Sequence, residues 1–257
     1  CDCCHLGSSL ISVGDESYLI ACSDTKRWYD HYFISSFGAL ASHRAHSISK
    51  EDISIQFITC NYPNEIVEES ARRQLTHTTQ RVVSVFHGKQ HYVVAEIDLS
   101  EKACTITDGL RYGLKTWTKH IENVLKRCSL ISLDDNLWFR NGALEVNQYE
   151  RWTIRYEEKF VTQTDSYNCG PLACMKLCEL FLDSSILDDD LDYANYRAWV
   201  TSQFKMLVDK CSNDLHVSVP SQERCDVDTP PCDDDVEIEW WSTHEQRNCI
   251  RRQQQAR

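Results

Sequence analysis

Residues 163–182 read Gln163-Thr164-Asp165-Ser166-Tyr167-Asn168-Cys169-Gly170-Pro171-Leu172-Ala173-Cys174-Met175-Lys176-Leu177-Cys178-Glu179-Leu180-Phe181-Leu182. Polar, turn-forming residues give way to an apolar run, and Cys169 stands at the junction. Leu172, Ala173, Met175, Leu177, Leu180 and Phe181 leave the run from Pro171 to Leu182 almost no polar face, so it is expected to form a central, buried helix. Pro171 suits the first turn, where its missing N–H costs nothing. A cysteine at a helix N-terminus has its thiolate stabilised by backbone N–H groups with no partner inside the helix. Gln163, six residues earlier, can supply an amide N–H to a developing oxyanion, together with the backbone N–H of Cys169.

A thiol nucleophile needs a base, and the base needs an orienting group. Upstream, Arg81–Phe86 is apolar and β-branched, His87–Gln90 contains a turn, and His91–Asp98 reads as a second strand. Ala103–Thr107 forms a third, after a short connection at Leu99–Lys102. His91 opens one strand and Asp108 ends the next, so a hairpin between them would let Asp108 orient the imidazole of His91. Gly109 allows a sharp exit. The four residues His91, Asp108, Gln163 and Cys169 all fall at element ends, and together they point to a cysteine hydrolase. The competing reading of a helical cysteine is a small core hydrophobe, which is the reading for Cys174 and Cys178.

Outward from this centre, Trp28–Ala41 is expected to be a helix, with Trp28, Tyr32, Phe33 and Phe37 at helical spacing and Asp24 as its cap. Leu10–Val13 and Ile53–Ile58 are strand-like, and Glu65–Gln74 is a short helix or loop. Trp117–Ser129 is a helix with Ile121, Val124 and Leu125 on one side. Trp152–Val161 reads as a strand and Tyr193–Asp209 as an amphipathic helix. The organisation expected is an irregular N-terminal end at 1–9, trimmed from something longer, one catalytic domain at 10–215, and an acidic, flexible tail at 216–257.

The 257 residues suffice for one sizeable core, and 42% hydrophobic with 26% charged is ordinary for a globular domain. No run approaches the roughly 18 apolar residues of a membrane helix. The net charge of −12 argues against a free-standing nucleic-acid binder. The acid is partly local, since nine of the 39 acidic residues lie in 223–245. Fourteen cysteines in so large a chain, several inside apolar stretches, fit buried thiols in a reducing compartment better than a disulfide scaffold. Localisation is accordingly expected in the nucleus or cytoplasm. Cys1, Cys3, Cys4 and His5 have zinc-ligand types, with Cys22 a distant fifth, but no second pair at finger spacing follows, and no metal is assigned. In the tail, Val236, Ile238, Trp240 and Trp241 among acids form a candidate docking segment.

The segment Gln163–Gly170 resembles the Gln…Cys-Gly signature of the ubiquitin-like-protein proteases, the SUMO/sentrin-specific cysteine peptidases. His91-Tyr92-Val93-Val94 is similar to that family's His-Trp strand, and Thr105-Ile106-Thr107-Asp108-Gly109 to its aspartate motif. The order His91, Asp108, Gln163, Cys169 is the family's order, and the likeness spans roughly residues 10–210. It implies an α+β cysteine-protease fold: a central mixed sheet flanked by helices, with a papain-like core in rearranged order. It implies hydrolysis of a peptide or isopeptide bond after the C-terminal Gly-Gly of a SUMO-like modifier, with no cofactor. The modifier and its conjugates are the implied partners, within a larger parent polypeptide. It also implies a narrow substrate tunnel, assigned here to Trp28, Asp30, Tyr92, Asn168 and Gly170. The chain departs from the pattern at Trp28, one place late relative to Asp30. It has Tyr92 for the usual Trp, Asn168 where an acidic residue precedes the nucleophile, and Pro171 after Gly170. These departures leave open a protease for ubiquitin, another modifier or peptides, and a silent modifier-binding domain.

Overall fold

The computed structural model describes residues 28–48, 54–58, 67–69, 72, 75–147, 150–183 and 193–217. The chain divides into two units, residues 1–218 and 219–257, and every described residue lies in the first. The first two strands are β1 (Ile55–Phe57) and β2 (Arg81–Gly88), followed by β3 (His91–Asp98) and β4 (Ala103–Thr107). Three more follow: β5 (Trp138–Arg140), β6 (Ala143–Asn147) and β7 (Glu150–Tyr156). The helices are α1 (His31–Ile48), α2 (Thr118–Arg127), α3 (Cys169–Leu182) and α4 (Tyr193–Val217), with a 3-10 turn at Leu114–Trp117 leading into α2. The seven strands form one sheet in the order β1-β2-β3-β4-β7-β6-β5. The pairs β1/β2 and β4/β7 are parallel and the others antiparallel. This is the mixed α+β architecture expected.

Alternation along the strands divides the core in two. Val83 and Val85 of β2, with Tyr92 and Val94 of β3, face α1, α3 and α4. Val82 and Phe86, with Val93, Ala95 and Ile97, face Trp117 and α2. β2 and β3 are covered on both faces, which is why they read as nearly continuous apolar runs. Beyond β4 one face is open: in β7, Trp152 and Ile154 are buried while Arg151, Thr153 and Arg155 are exposed. α3 is buried along almost its whole length, as its composition requires. α1 carries Phe33, Phe37, Leu40 and Ala41 on its inner stripe, and Phe33 lies 4.7 Å from Phe204 of α4. Among the described residues no helix is long and apolar enough to cross a membrane. Six described cysteines, Cys104, Cys128, Cys169, Cys174, Cys178 and Cys211, are buried.

Several boundaries differ from expectation for identifiable reasons. α1 begins at His31 rather than Trp28, because Asp30 caps it: its Oδ1 accepts the Phe33 N–H at 2.8 Å. It continues to Ile48, since Ser42–Ile48 contains no breaker. The expected cap Asp24 and the expected strand at Leu10–Val13 fall outside the described residues, as do the N-terminal cysteines, most of Glu65–Gln74 and the acidic tail. β7 ends at Tyr156, where the charged turn Glu157-Glu158-Lys159 takes over. α4 runs past Asp209 to Val217, burying Cys211. The β5–β6 hairpin adds to the expected elements. Asn141-Gly142 between two short runs is its two-residue turn signal, and both residues adopt positive φ, 50° and 71°.

The β2–β3 hairpin uses the same kind of turn with less suitable residues. Lys89 and Gln90 have φ of 53° and 57°, a left-handed conformation that costs side-chain-bearing residues about 1 kcal/mol each. Substituting Lys89→Asn with Gln90→Gly is therefore expected to stabilise the protein by ~1 kcal/mol. Urea unfolding checks this: the midpoint should rise with the slope unchanged.

Candidate active site

The β3–β4 register sets the first half of the site. Val94 pairs with Thr107, so His91 and Asp108 share the face of Val93 and Ile106 and meet near the end of the pair. His91 Nε2 lies 2.8 Å from Asp108 Oδ1, with both side chains buried. A carboxylate only accepts, so Nε2 carries the proton and donates it, leaving the lone pair on Nδ1. Nδ1 is buried and has no hydrogen-bond partner. Tyr112 meets the imidazole edge to face at 5.4 Å, and Trp117 lies 6.3 Å away.

Asp108 is fixed in turn by its own loop. Oδ1 accepts the N–H groups of Leu110 (2.9 Å) and Arg111 (3.0 Å). Oδ2 accepts those of Tyr112 (2.9 Å) and of the Trp117 indole (3.3 Å). Gly109 ties this loop to the next part of the site. Its carbonyl accepts the Gln163 N–H at 2.9 Å, and a Cβ at Gly109 would sit 2.9 Å from Gln163 Cβ. The close approach of the two backbones requires glycine here.

Cys169 is the first residue of α3 and is buried. Burial pushes its thiol up to about 11, and the negative charge of Asp165 adds to the rise. The backbone N–H of Tyr92 on β3 pulls in the opposite direction, and so do those of Gly170 and Cys169 itself, as a helix N-terminus should. Gln163 is also buried; its Nε2 donates to the Asp165 carbonyl at 2.7 Å, while Oε1 has no partner.

These side chains converge. A small pocket is lined by His91, Tyr92, Thr107, Gly109, Phe160, Gln163, Cys169, Leu172 and Ala173. Of the residues expected from sequence, His91, Gln163, Cys169 and Tyr92 lie on this pocket, with Asp108 directly behind His91. Four others do not line it. Asp30 caps α1, and Trp28 packs edge-on against Tyr167 at 6.2 Å. Gly170 faces the residues ahead of and within α1, where an added Cβ would come within 2.8 Å of Tyr29 Cβ. Asn168 is buried between Asp165 and Arg197.

Sequence reasoning misses two residues that support the loop. Asp165 carries a legible signal, because an aspartate two residues before a turn position can bond its own backbone; its Oδ1 accepts the N–H groups of Tyr167 and Asn168 at 2.7 and 2.9 Å. Arg197, wholly buried on α4, carries none, since a basic residue in an amphipathic helix reads as solvent-facing. No site for a metal was found among the described residues.

Asp108→Ala is expected to destabilise the fold by about 3 kcal/mol, because it strands the buried donors of His91 and Trp117 together with three backbone N–H groups. Denaturant unfolding measures this without any assumption about activity.

Residues 37–208 match the Ulp1 protease family, C-terminal catalytic domain. No curated protein matches the chain. Among solved structures, the C-terminal Ulp1 protease domain in complex with Smt3, the yeast ortholog of SUMO, is 14% identical. The match covers 72% of this chain and 79% of that one with a TM-score of 0.48. The Ulp1-like SUMO protease catalytic domain of Chaetomium thermophilum is 10% identical, covering 72% and 74%, with a TM-score of 0.44. The Chlamydia trachomatis effector Cdu1 bound to ubiquitin is 11% identical, covering 74% and 83%, with a TM-score of 0.28.

Proposed function

Because the chain belongs to the Ulp1 protease family, a family of cysteine proteases, we propose that it hydrolyses the peptide or isopeptide bond after the C-terminal Gly-Gly of a SUMO-like modifier, with Cys169 as nucleophile. The observation that carries the reading is the state of His91. Its Nε2–H is committed to Asp108, and its Nδ1 is buried, unbonded and on a residue that opens onto the same pocket as Cys169. A lone pair fixed in that way is what a general base requires.

The steps follow from the roles. His91 Nδ1 takes the Cys169 proton, and Asp108 stabilises the imidazolium formed. The sulfur attacks the carbonyl carbon of the terminal glycine. The oxyanion is held by the backbone N–H of Cys169 and a Gln163 amide N–H. His91 then protonates the leaving amine, which departs, and the thioester remains. A water molecule, giving its proton to His91, hydrolyses the thioester and frees the thiol. A tail of two glycines, which carries no side chains, suits a pocket walled by Tyr92 and Phe160.

SUMO and ubiquitin carrying C-terminal propargyl groups test the reading. Covalent labelling by SUMO, lost in Cys169→Ala while the fold is retained, is the expected result. Labelling by ubiquitin alone would move the substrate class. Absence of labelling by either, with iodoacetamide still reacting at Cys169, would overturn the modifier-directed assignment.

The base has a separate pH signature. A thiol held near 11 by burial loses thiolate about tenfold for each pH unit below that value. Iodoacetamide alkylation of His91→Ala is thus expected to climb with pH up to about 11. The wild type, where His91 accepts the proton, is expected to react faster than His91→Ala at neutral pH. Identical profiles would remove His91 from the mechanism.

A further inference from the structure

Behind the pocket, the loop from Gln163 to Asn168 is held by a chain of hydrogen bonds whose direction is fixed at both ends. Arg197 Nε donates to Asn168 Oδ1 at 2.7 Å, and a guanidinium can only donate. Asn168 Nδ2 donates to Asp165 Oδ2 at 2.6 Å, and a carboxylate can only accept. The central asparagine therefore has one permitted orientation. Asp165 Oδ1 closes the turn through the Tyr167 and Asn168 N–H groups, and Arg197 Nη2 donates to the Tyr167 carbonyl at 3.0 Å. At the pocket end, Gln163 Nε2 bonds the Asp165 carbonyl at 2.7 Å and approaches its Oδ1 at 3.4 Å. The Gln163 amide is thus aimed by Asp165, Asp165 is held by Asn168, and Asn168 is held by Arg197.

We propose that Arg197, Asn168 and Asp165 form a positioning relay that presents the Gln163 amide N–H to the oxyanion, and that the polarity of the relay, rather than the identity of either central residue, is what the site requires. The proposal rests on the protease reading above. None of the three lines the pocket; they act through Gln163.

The polarity argument makes an asymmetric forecast. Asp165→Asn puts one amide N–H₂ against another. Turning Asn168 over to relieve this presents its N–H₂ to Arg197 Nε–H instead. Asn168→Asp satisfies Arg197 but sets two carboxylates against each other. The double variant, Asp165→Asn with Asn168→Asp, restores every pairing. Arg197 then donates to the carboxylate introduced at position 168. The amide introduced at position 165 donates to that carboxylate from the other side, while its oxygen still closes the turn.

Four proteins decide the matter: wild type, the two single variants and the double variant. The first readout is hydrolysis of SUMO carrying a C-terminal aminomethylcoumarin. Each single variant is expected to lose about 10–100-fold in kcat with little change in KM. The double variant is expected to recover most of that loss. The second readout needs no activity: hydrogen exchange of the Gln163 side-chain amide by NMR, slow in the wild type and double variant and fast in both singles. A wild type that fails to turn over the substrate sinks the SUMO-directed reading, and amide exchange then judges the relay alone. A double variant no better than the worse single in exchange and, where turnover exists, in kcat overturns the relay. So do single variants indistinguishable from wild type.

Discussion

The antiparallel register of β3 and β4, with Val94 opposite Thr107, is the constraint from which the site follows. Side chains alternate across a strand, so shifting the pairing by one residue would send Asp108 to the opposite face from His91. The register is held by what lies on each side. Val93, Ala95 and Ile97 of β3, with Cys104 and Ile106 of β4, are all buried against Trp117 and α2. Tyr92 and Val94 are buried against α1, α3 and α4. A slip would bring polar groups into both layers at once. The 2.8 Å contact between His91 and Asp108 is thus a consequence of hydrophobic burial along a strand pair, not of the attraction between the two side chains.

Burial creates an electrostatic difficulty that the same architecture answers. Burial pushes the thiol of Cys169 up to about 11, against the thiolate of a Cys169–His91 ion pair. An ion pair between them forms only if both charges are compensated. α3 contributes its first N–H groups to the sulfur, and Asp108 stands behind the imidazole with four further donors from its loop and Trp117 holding it in place. Asp165 opposes this by adding negative charge near the sulfur. Its presence so close to the Cys169 thiol makes sense as a determinant of loop geometry, because it works against the thiolate.

The legible part of the molecule is the part governed by local pattern. Short apolar, β-branched runs locate β2, β3 and β4, the longer apolar run locates α3, and placement at element ends selects His91, Asp108, Gln163 and Cys169. Other features depend on detail that a pattern averages away or on partners far along the chain. Trp28 and Tyr29 continue the apolar pattern of α1 and so draw its expected start three residues early, while the cap that decides the start is Asp30. The β5 strand is only three residues long, too short for alternation to register, and the Asn141-Gly142 turn is the hairpin's one sign. Arg197 is invisible to any local pattern, since its burial is settled by Asn168, 29 positions away.

Asn168, Cys169 and Gly170 show why proximity in sequence misleads at a helix start. Two of them flank Cys169, and all three read as substrate-facing. Successive residues on a helix project about 100° apart, so neighbours along the chain meet different walls. Cys169 opens onto the pocket beside His91. Asn168 turns back to Arg197 on α4 and to Asp165. Gly170 lies against Tyr29 ahead of α1, where the approach leaves no room for a Cβ. The departure from the family pattern at Asn168 therefore bears on how the loop is braced rather than on what the pocket admits. The residue that lines the pocket and also departs from the pattern is Tyr92, buried at its wall and within 4.4 Å of the His87 ring. The ring is backed by a histidine that burial and the neighbouring histidines hold neutral down to about 4, so no charge stands behind that wall.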